Sequence, residues 1–233
     1  MIIGILQCDS VRPEYRDQFD NYPQMFQDLF HSVAPGIETI VYNVEEHEYP
    51  EDIDACDAYI TTGSKASVYE GHDWIQTLQD FIVKLHAHDK KLVAVCFGHQ
   101  LVAQAFGGAT QKSDKGWGVG VHSMDIHVNK PWMTPGATVV DIIVSHQDQV
   151  HMLPEGAELI AGHPFCPNSM YLLNDRILCM QGHPEFSPEY AETMMRHRRE
   201  MIGEETFNTG IESLQKPVDD NLLAQWVVQF FKD

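Results

Sequence analysis

Residues 90–108, KKLVAVCFGHQLVAQAFGG, decide the fold. Leu92 to Val95 is a short apolar run with two valines and reads as a buried strand. Cys96 follows at once, then Phe97 and Gly98. His99 to Phe106 is apolar on most faces and long enough for two helical turns, and Gly107-Gly108 stops it. One cysteine therefore occupies a sharp strand-to-helix turn at the end of a sheet. The partial positive charge of the helix N-terminus beside it favours thiolate over thiol. Gly98, without a Cβ, lets neighbouring backbone pass close by. This is the layout of a nucleophile elbow with sulfur in place of oxygen. The competing reading of the elbow alone is a buried structural cysteine, a common fate of free thiols.

Upstream of the elbow, strands and helices alternate. Ile2–Gln7 reads as a central strand and 8–21, interrupted by Pro13, as a loop. Tyr22–Val33 carries apolar residues at helical spacing, with Asn21 or Asp20 as cap. Residues 37–44 form a second strand, 45–57 an acidic connecting surface, and Ala58–Thr61 a third strand ending in Thr62-Gly63-Ser64. Residues 73–86 are helical, with Asp73 as cap. This alternation predicts an α/β fold with a mostly parallel central sheet and helices on both faces. Ligands bind such sheets at the carboxyl ends of the strands, so the turn at Gly63 and the elbow at Cys96 are expected to share one cleft.

Downstream the texture changes. Residues 112–120 form a glycine-rich loop with Trp117, for which lining the pocket is one reading and plain packing of the loop the other. Short strands are expected at 121–128, 138–144, around Leu159, at 171–173 and at Ile177–Met180, as antiparallel additions to the sheet. Residues 189–202 and 221–231 read as closing helices. No repeat or linker interrupts the chain, so residues 1–233 are expected to form a single domain.

Composition narrows the function. The chain carries 34 Asp and Glu against 15 Lys and Arg, a formal charge of −19. Nucleic acid and anionic membranes both require basic surfaces, so neither is an expected partner. The five cysteines are odd in number and contain no CxxC pair, which fits a reducing compartment. With no basic-apolar leader and no apolar run of about 20 residues, a cytoplasmic location is expected. Thirteen histidines invite a metal, but His146 and His151 have the wrong spacing for a helical two-ligand site, and His122 and His127 lack partners. No metal and no cofactor are expected. Arg12 and Arg16 fall at the cleft end of the sheet, where a substrate carboxylate is one reading and plain surface the other. Residues 196–199, Arg-His-Arg-Arg, read as a solvated helix face.

A thiol nucleophile needs a base that doubles as an acid, and a group that orients the base. Gln181-Gly182-His183-Pro184-Glu185 supplies both, directly after the strand 177–180. Pro184 favours an extended conformation at His183. Histidine and carboxylate, two residues apart at a strand end, are then close enough to pair.

These paired motifs, Cys96-Phe97-Gly98-His99-Gln100 and Gln181-Gly182-His183-Pro184-Glu185, resemble those of the class I (triad) glutamine amidotransferases, with flavodoxin-like architecture. The resemblance covers nearly the whole chain. It implies Cys96 as nucleophile, His183 as base and Glu185 as its orienting carboxylate. It implies an oxyanion hole of the Gly63 and Phe97 N–H groups, each such donor being worth roughly 3–4 kcal/mol. It assigns Gln100, Ser145, His146 and Gln147 to the glutamyl part of the substrate. Within the family the sequence is most similar to the stand-alone branch related to the glutaminase domain of GMP synthetase. The segments CDS, CFGHQ, SHQDQV and QGHPEF especially resemble plant γ-glutamyl peptidases.

The resemblance implies hydrolysis of a γ-glutamyl amide, in glutamine or in a γ-glutamyl peptide, through a thioester. Two alternatives stand beside it: a glutaminase subunit feeding ammonia to a synthetase on a separate chain, and a non-catalytic module on the same fold. No fused synthetase domain is expected, because the chain ends soon after the triad. Two departures from the family pattern are Ala94, where glycine is usual, and Lys65, where the oxyanion turn usually carries proline.

Overall fold

The computed structural model describes all of residues 1–233. A nine-stranded sheet runs through it. Four strands of the first half, β1 (Ile2–Gln7), β2 (Glu38–Asn43), β3 (Ala58–Thr61) and β4 (Lys91–Val95), are joined by β11 (Ile177–Met180). Their order is β2-β1-β3-β4-β11, and every neighbouring pair is parallel. The sheet continues antiparallel through β10 (Met170–Leu173), β9 (Ala157–Gly162), β6 (Gly118–Ile126) and β7 (Val139–His146). This is the expected α/β fold with a parallel half and antiparallel additions.

The pleat sorts the side chains of the central strands into two layers. Val93 and Val95 of β4, with Ile3, Ile5 and Ile60, pack against helices α2 (Tyr22–Val33) and α8 (Asp220–Lys232) through Phe26, Phe30, Leu223, Trp226 and Phe230. Leu92 and Ala94 face the other way, with Leu6 and Tyr59. They pack against α3 (Asp73–Ala87) and α4 (Phe97–Ala105) through Ile75, Leu78, Ile82, Leu85 and Leu101. Every residue of β4 is buried, as a central parallel strand requires. Ala94 is fully buried in the second layer, so its methyl group is absorbed there as core. No helix is long and apolar enough to cross a membrane.

Several expectations are corrected. Residues 8–21 are not all loop, because α1 (Pro13–Phe19) forms with Pro13 in its first turn, where the missing N–H costs nothing. Asp73 is not the cap of α3; His72 holds that position and Asp73 opens the helix. Asn21 is the boundary residue of α2, yet its side chain accepts from the Val11 N–H at 2.8 Å rather than capping. Helix α4 starts at Phe97, so the elbow has no spacer between cysteine and helix. The loop before β6 is shorter than expected, because β5 (Ala109–Lys112) pairs with β8 (Asp148–Met152) in a separate two-stranded sheet. The helix expected over 189–202 breaks at Arg198 into α5 (Pro188–His197) and α6 (Arg199–Ile202), and a further helix, α7 (Glu204–Ser213), packs on β6.

Candidate active site

Strands β1, β3, β4 and β11 are adjacent and parallel, so their carboxyl ends lie side by side. Asp9 follows β1, Gly63 follows β3, Cys96 follows β4, and His183 follows β11. Topology alone thus gathers residues that are far apart in sequence.

At the elbow, Cys96 has φ 49° and ψ −96°, a left-handed conformation that non-glycine residues rarely adopt and that stores about 1–3 kcal/mol of strain. Its N–H donates to the Met180 carbonyl at 2.8 Å, and its carbonyl accepts from the Gln100 N–H at 3.1 Å. Gly98 sits so close to β3 that a Cβ there would lie 2.0 Å from Thr61 Oγ1. That hydroxyl in turn accepts from the Val95 N–H at 3.0 Å, tying the strand end to its neighbour. Cys96 is 6% exposed, so the thiol looks into a cavity and not into open solvent.

The imidazole of His183 is fixed from several sides. Its Nδ1 bonds Glu185 Oε1 at 2.8 Å, and the Glu185 side chain is almost fully buried. That bond leaves Nε2 as the free ring nitrogen, and His183 and Cys96 line one cavity. The ring stacks on Phe186 with centroids 3.9 Å apart and planes 7° from parallel. The His183 N–H donates to the Ile143 carbonyl at 2.8 Å, an isolated antiparallel bridge that Pro184 favours by holding the backbone extended. Burial alone would pull the imidazole pKa down, but the Glu185 carboxylate and the Cys96 sulfur outweigh it and push it up to about 10. The proton is therefore held on the ring, the charge state that stabilises a neighbouring thiolate.

The Gly63 and Phe97 N–H groups are not taken up by any backbone carbonyl. Phe97 is the first residue of α4, whose N-terminal amides have no partners within the helix. The turn after β3 is fastened to β1 and the segment after it by four bonds. Thr62 N–H donates to the Leu6 carbonyl at 3.0 Å, and Thr62 Oγ1 accepts from the Cys8 N–H at 2.9 Å. The buried Asp9 carboxylate accepts from the Lys65 N–H at 2.9 Å and from Lys65 Nζ at 2.6 Å. Proline at 65 has no N–H to give. The pair Asp9–Lys65 thus supplies by hydrogen bonding the rigidity that a proline supplies covalently. Asp9→Asn should lower kcat by about ten- to a hundredfold with little change in KM, measured by steady-state kinetics of glutamate release.

The residues assigned by resemblance to the substrate fall around one cavity of about 280 Å³. Cys96, Gln100, Ser145, His146, Gln147 and Trp117 all contribute to its wall. Gln100, Ser145 and His146 are engaged within the protein, Ser145 by Arg198. The Gln100 amide donates to the Asp148 carbonyl at 2.9 Å and to Gln181 Oε1 at 3.1 Å. His146 Nδ1 lies 3.1 Å from the Asp148 carbonyl, and burial pushes the ring's pKa down to about 3, keeping it neutral. No cluster of three or more His, Cys, Asp or Glu is placed to hold a metal.

Sequence reasoning gave no role to several residues here. Gln181 Nε2 reaches Cys96 Sγ at 3.5 Å, and Phe186 is the stacking partner of the base. Arg198, expected on a solvated face, instead turns toward the cavity: its Nη1 donates to Ser145 Oγ at 3.1 Å and its guanidinium lies 5.6 Å from the Trp117 ring. Arg196 and Arg199 remain exposed and pair with Glu192 and Glu204. Gln181 and Phe186 flank the histidine segment in sequence, so that signal was available. Arg198 carried none, because the break that redirects it depends on packing.

A thiol in a strained strand-to-helix turn, sharing a cavity with an imidazole fixed by a buried carboxylate, has the layout that a nucleophile and its base require. Comparison with known proteins gives the family. The profile described as "Glutamine amidotransferase class-I" matches residues 18–203, and the chain belongs to that family. A glutamine amidotransferase-like protein of Schizosaccharomyces pombe is 32% identical over 98% of this chain and 97% of its own. Gamma-glutamyl peptidase 3 of Arabidopsis thaliana is 30% identical, covering 78% of this chain and 75% of its own. Among solved structures, a glutamine amidotransferase of Thermotoga maritima superposes with a TM-score of 0.80 over 99% of both chains at 13% identity, a likeness of fold.

Proposed function

We propose that residues 1–233 form a single catalytic unit that hydrolyses a γ-glutamyl amide bond through a thioester on Cys96. The observation that carries this reading is the buried Glu185–His183 pair, which shares one cavity with the Cys96 thiol at the ends of adjacent strands. Membership of the class I family and similarity to proteins named gamma-glutamyl peptidases support the γ-glutamyl substrate.

The steps follow from the charges. Cys96 thiolate attacks the γ-carbonyl carbon, and the oxygen that becomes negative is met by the N–H groups of Gly63 and Phe97. The tetrahedral intermediate collapses as the C–N bond breaks. The proton on His183 goes to the departing nitrogen, leaving a γ-glutamyl thioester and a neutral imidazole. Water enters, His183 takes one of its protons, and the oxygen attacks the thioester carbon. The C–S bond breaks, and glutamate, thiolate and imidazolium are restored. Glu185 orients the ring throughout and stabilises its charged form.

A pH dependence follows. A raised imidazole pKa keeps the proton on His183 across neutral pH. The rate should turn down only in the alkaline range, as pH approaches about 10 and the leaving nitrogen loses its proton donor. The kcat/KM profile of the wild type, which reports the free enzyme's groups, checks this, and a fall beginning near pH 7 contradicts it.

The function itself is tested by free glutamate release from glutamine and from γ-glutamyl dipeptides. Release from either supports the reading, and release from neither overturns it. The second reading, ammonia supply to a separate synthetase, draws on the family and on the fold of a GMP synthase component of Thermoplasma acidophilum, which superposes with a TM-score of 0.61 over 93% of this chain and 98% of its own at 17% identity. It requires release from glutamine only, rising when a synthetase is added.

A further inference from the structure

The approach to Cys96 is larger and more basic than ammonia needs. Beyond the cavity at the thiol lies a second one of about 560 Å³, walled by the loop after β1, by α1 and by the end of α5. Lys65, Arg198 and Met201 border both cavities.

Arg198 stands on this shared border. Its backbone is fixed at the junction of α5 and α6: its N–H donates to the Met194 and Met195 carbonyls, and its carbonyl accepts from the Met201 and Ile202 N–H groups. Its guanidinium touches only the Ser145 hydroxyl and the face of Trp117. Of the six arginines, Arg12, Arg176, Arg196 and Arg199 each have a carboxylate within salt-bridge distance. Arg198 and Arg16 do not, and both line the second cavity. In a chain with 34 acidic residues, two guanidiniums left without a carboxylate at one cavity mark a place where an anion from outside fits. Asp9 on the same wall is already neutralised by Lys65, and Glu45, also on that wall, is held above its ordinary pKa by burial and by Asp9.

We infer that Arg198, with Arg16 on the wall of the second cavity and held there by its Nε bond to the Val11 carbonyl at 2.7 Å, binds a carboxylate on the leaving group, so that the preferred substrates are γ-glutamyl amino acids or peptides with a free C-terminal carboxylate. The inference rests on the hydrolase reading and narrows its substrate. Glutamine, whose leaving group is ammonia, gains nothing from this contact. A peptide whose carboxylate reaches the guanidinium gains a charge-assisted, bidentate hydrogen bond.

The test compares a γ-glutamyl dipeptide as free acid with the same dipeptide as C-terminal amide, using wild type, Arg198→Gln and Arg198→Lys. In the wild type, kcat/KM should favour the acid by about ten- to a hundredfold. Arg198→Gln should bring that ratio close to one, and Arg198→Lys, which keeps the charge but loses the fork, should keep part of it. A wild type without preference for the acid overturns the inference. So does an Arg198→Gln variant that keeps the wild-type ratio, or one that slows glutamine, acid and amide by one common factor, since Arg198 then serves the glutamyl carboxylate shared by all three. If Arg198→Gln does not fold, the wild-type ratio and the lysine variant decide. No release by wild type from any of the three compounds is the separate failure of the hydrolase reading.

Discussion

Cys96→Ala is expected to lose glutamate release from every γ-glutamyl compound the wild type cleaves, by a factor on the order of 10⁴ or more. The side chain removed is small and faces the cavity, so the fold should survive. The other four cysteines cannot replace it. Cys8, Cys56, Cys166 and Cys179 are buried, and burial raises the pKa of each. Their thiols are held protonated, the unreactive form. A matched loss on glutamine and on peptides is the result that assigns all hydrolysis to one sulfur. Equal background release by wild type and variant removes the enzyme reading, and equal release above background removes Cys96 as the nucleophile.

The second large effect is expected at a residue with no side chain. Gly63 lies against the triad, and a Cβ added there would stand 2.8 Å from His183 Cε1 and 3.7 Å from Cys96 Cβ. The imidazole has little room to retreat, because Glu185 and Phe186 hold it. Gly63→Ala must therefore displace the ring or the oxyanion turn. A displacement of about 1 Å at a reacting group costs on the order of a hundredfold in rate. We expect kcat to fall by about that factor while circular dichroism remains that of the wild type. Gly71→Ala is the control, since a Cβ there meets nothing within 4 Å. Wild-type kcat in Gly63→Ala contradicts the geometry described here.

Much of the fold and the site is legible in the sequence, for identifiable reasons. The run 92–95 is apolar on both faces, which a central strand tolerates, and a cysteine at its end with Gly98 close behind is the pattern of an elbow. His183 and Glu185 are legible because strand β11 ends just before them and Pro184 restricts the backbone between. What escapes depends on packing that no local pattern announces. Helix α7 has few apolar residues and a glycine inside it, so its period is faint. It forms because Gly210 lets it approach β6, where a Cβ would lie 2.8 Å from Val119. Strands β5 and β8 are short and polar, and they exist only by pairing with each other. Asp9 is an ordinary loop residue in the sequence, and only the fold brings the Lys65 backbone to its carboxylate.

Arg198 is the least legible of all. Of the run 196–199, the first two residues end one helix, Arg199 opens the next, and Arg198 is the joint between them, which sends its guanidinium inward and leaves Arg196 and Arg199 exposed. The sequence contains the basic run, but not the joint that divides it.

The central claim is a covalent one, and trapping it is the most direct measurement. Wild-type protein quenched in acid during turnover of a γ-glutamyl peptide, and examined by intact-mass and peptide mass spectrometry, should carry one γ-glutamyl group on the peptide containing Cys96, and Cys96→Ala should carry none. Turnover without any adduct, or an adduct on another residue, would contradict the account.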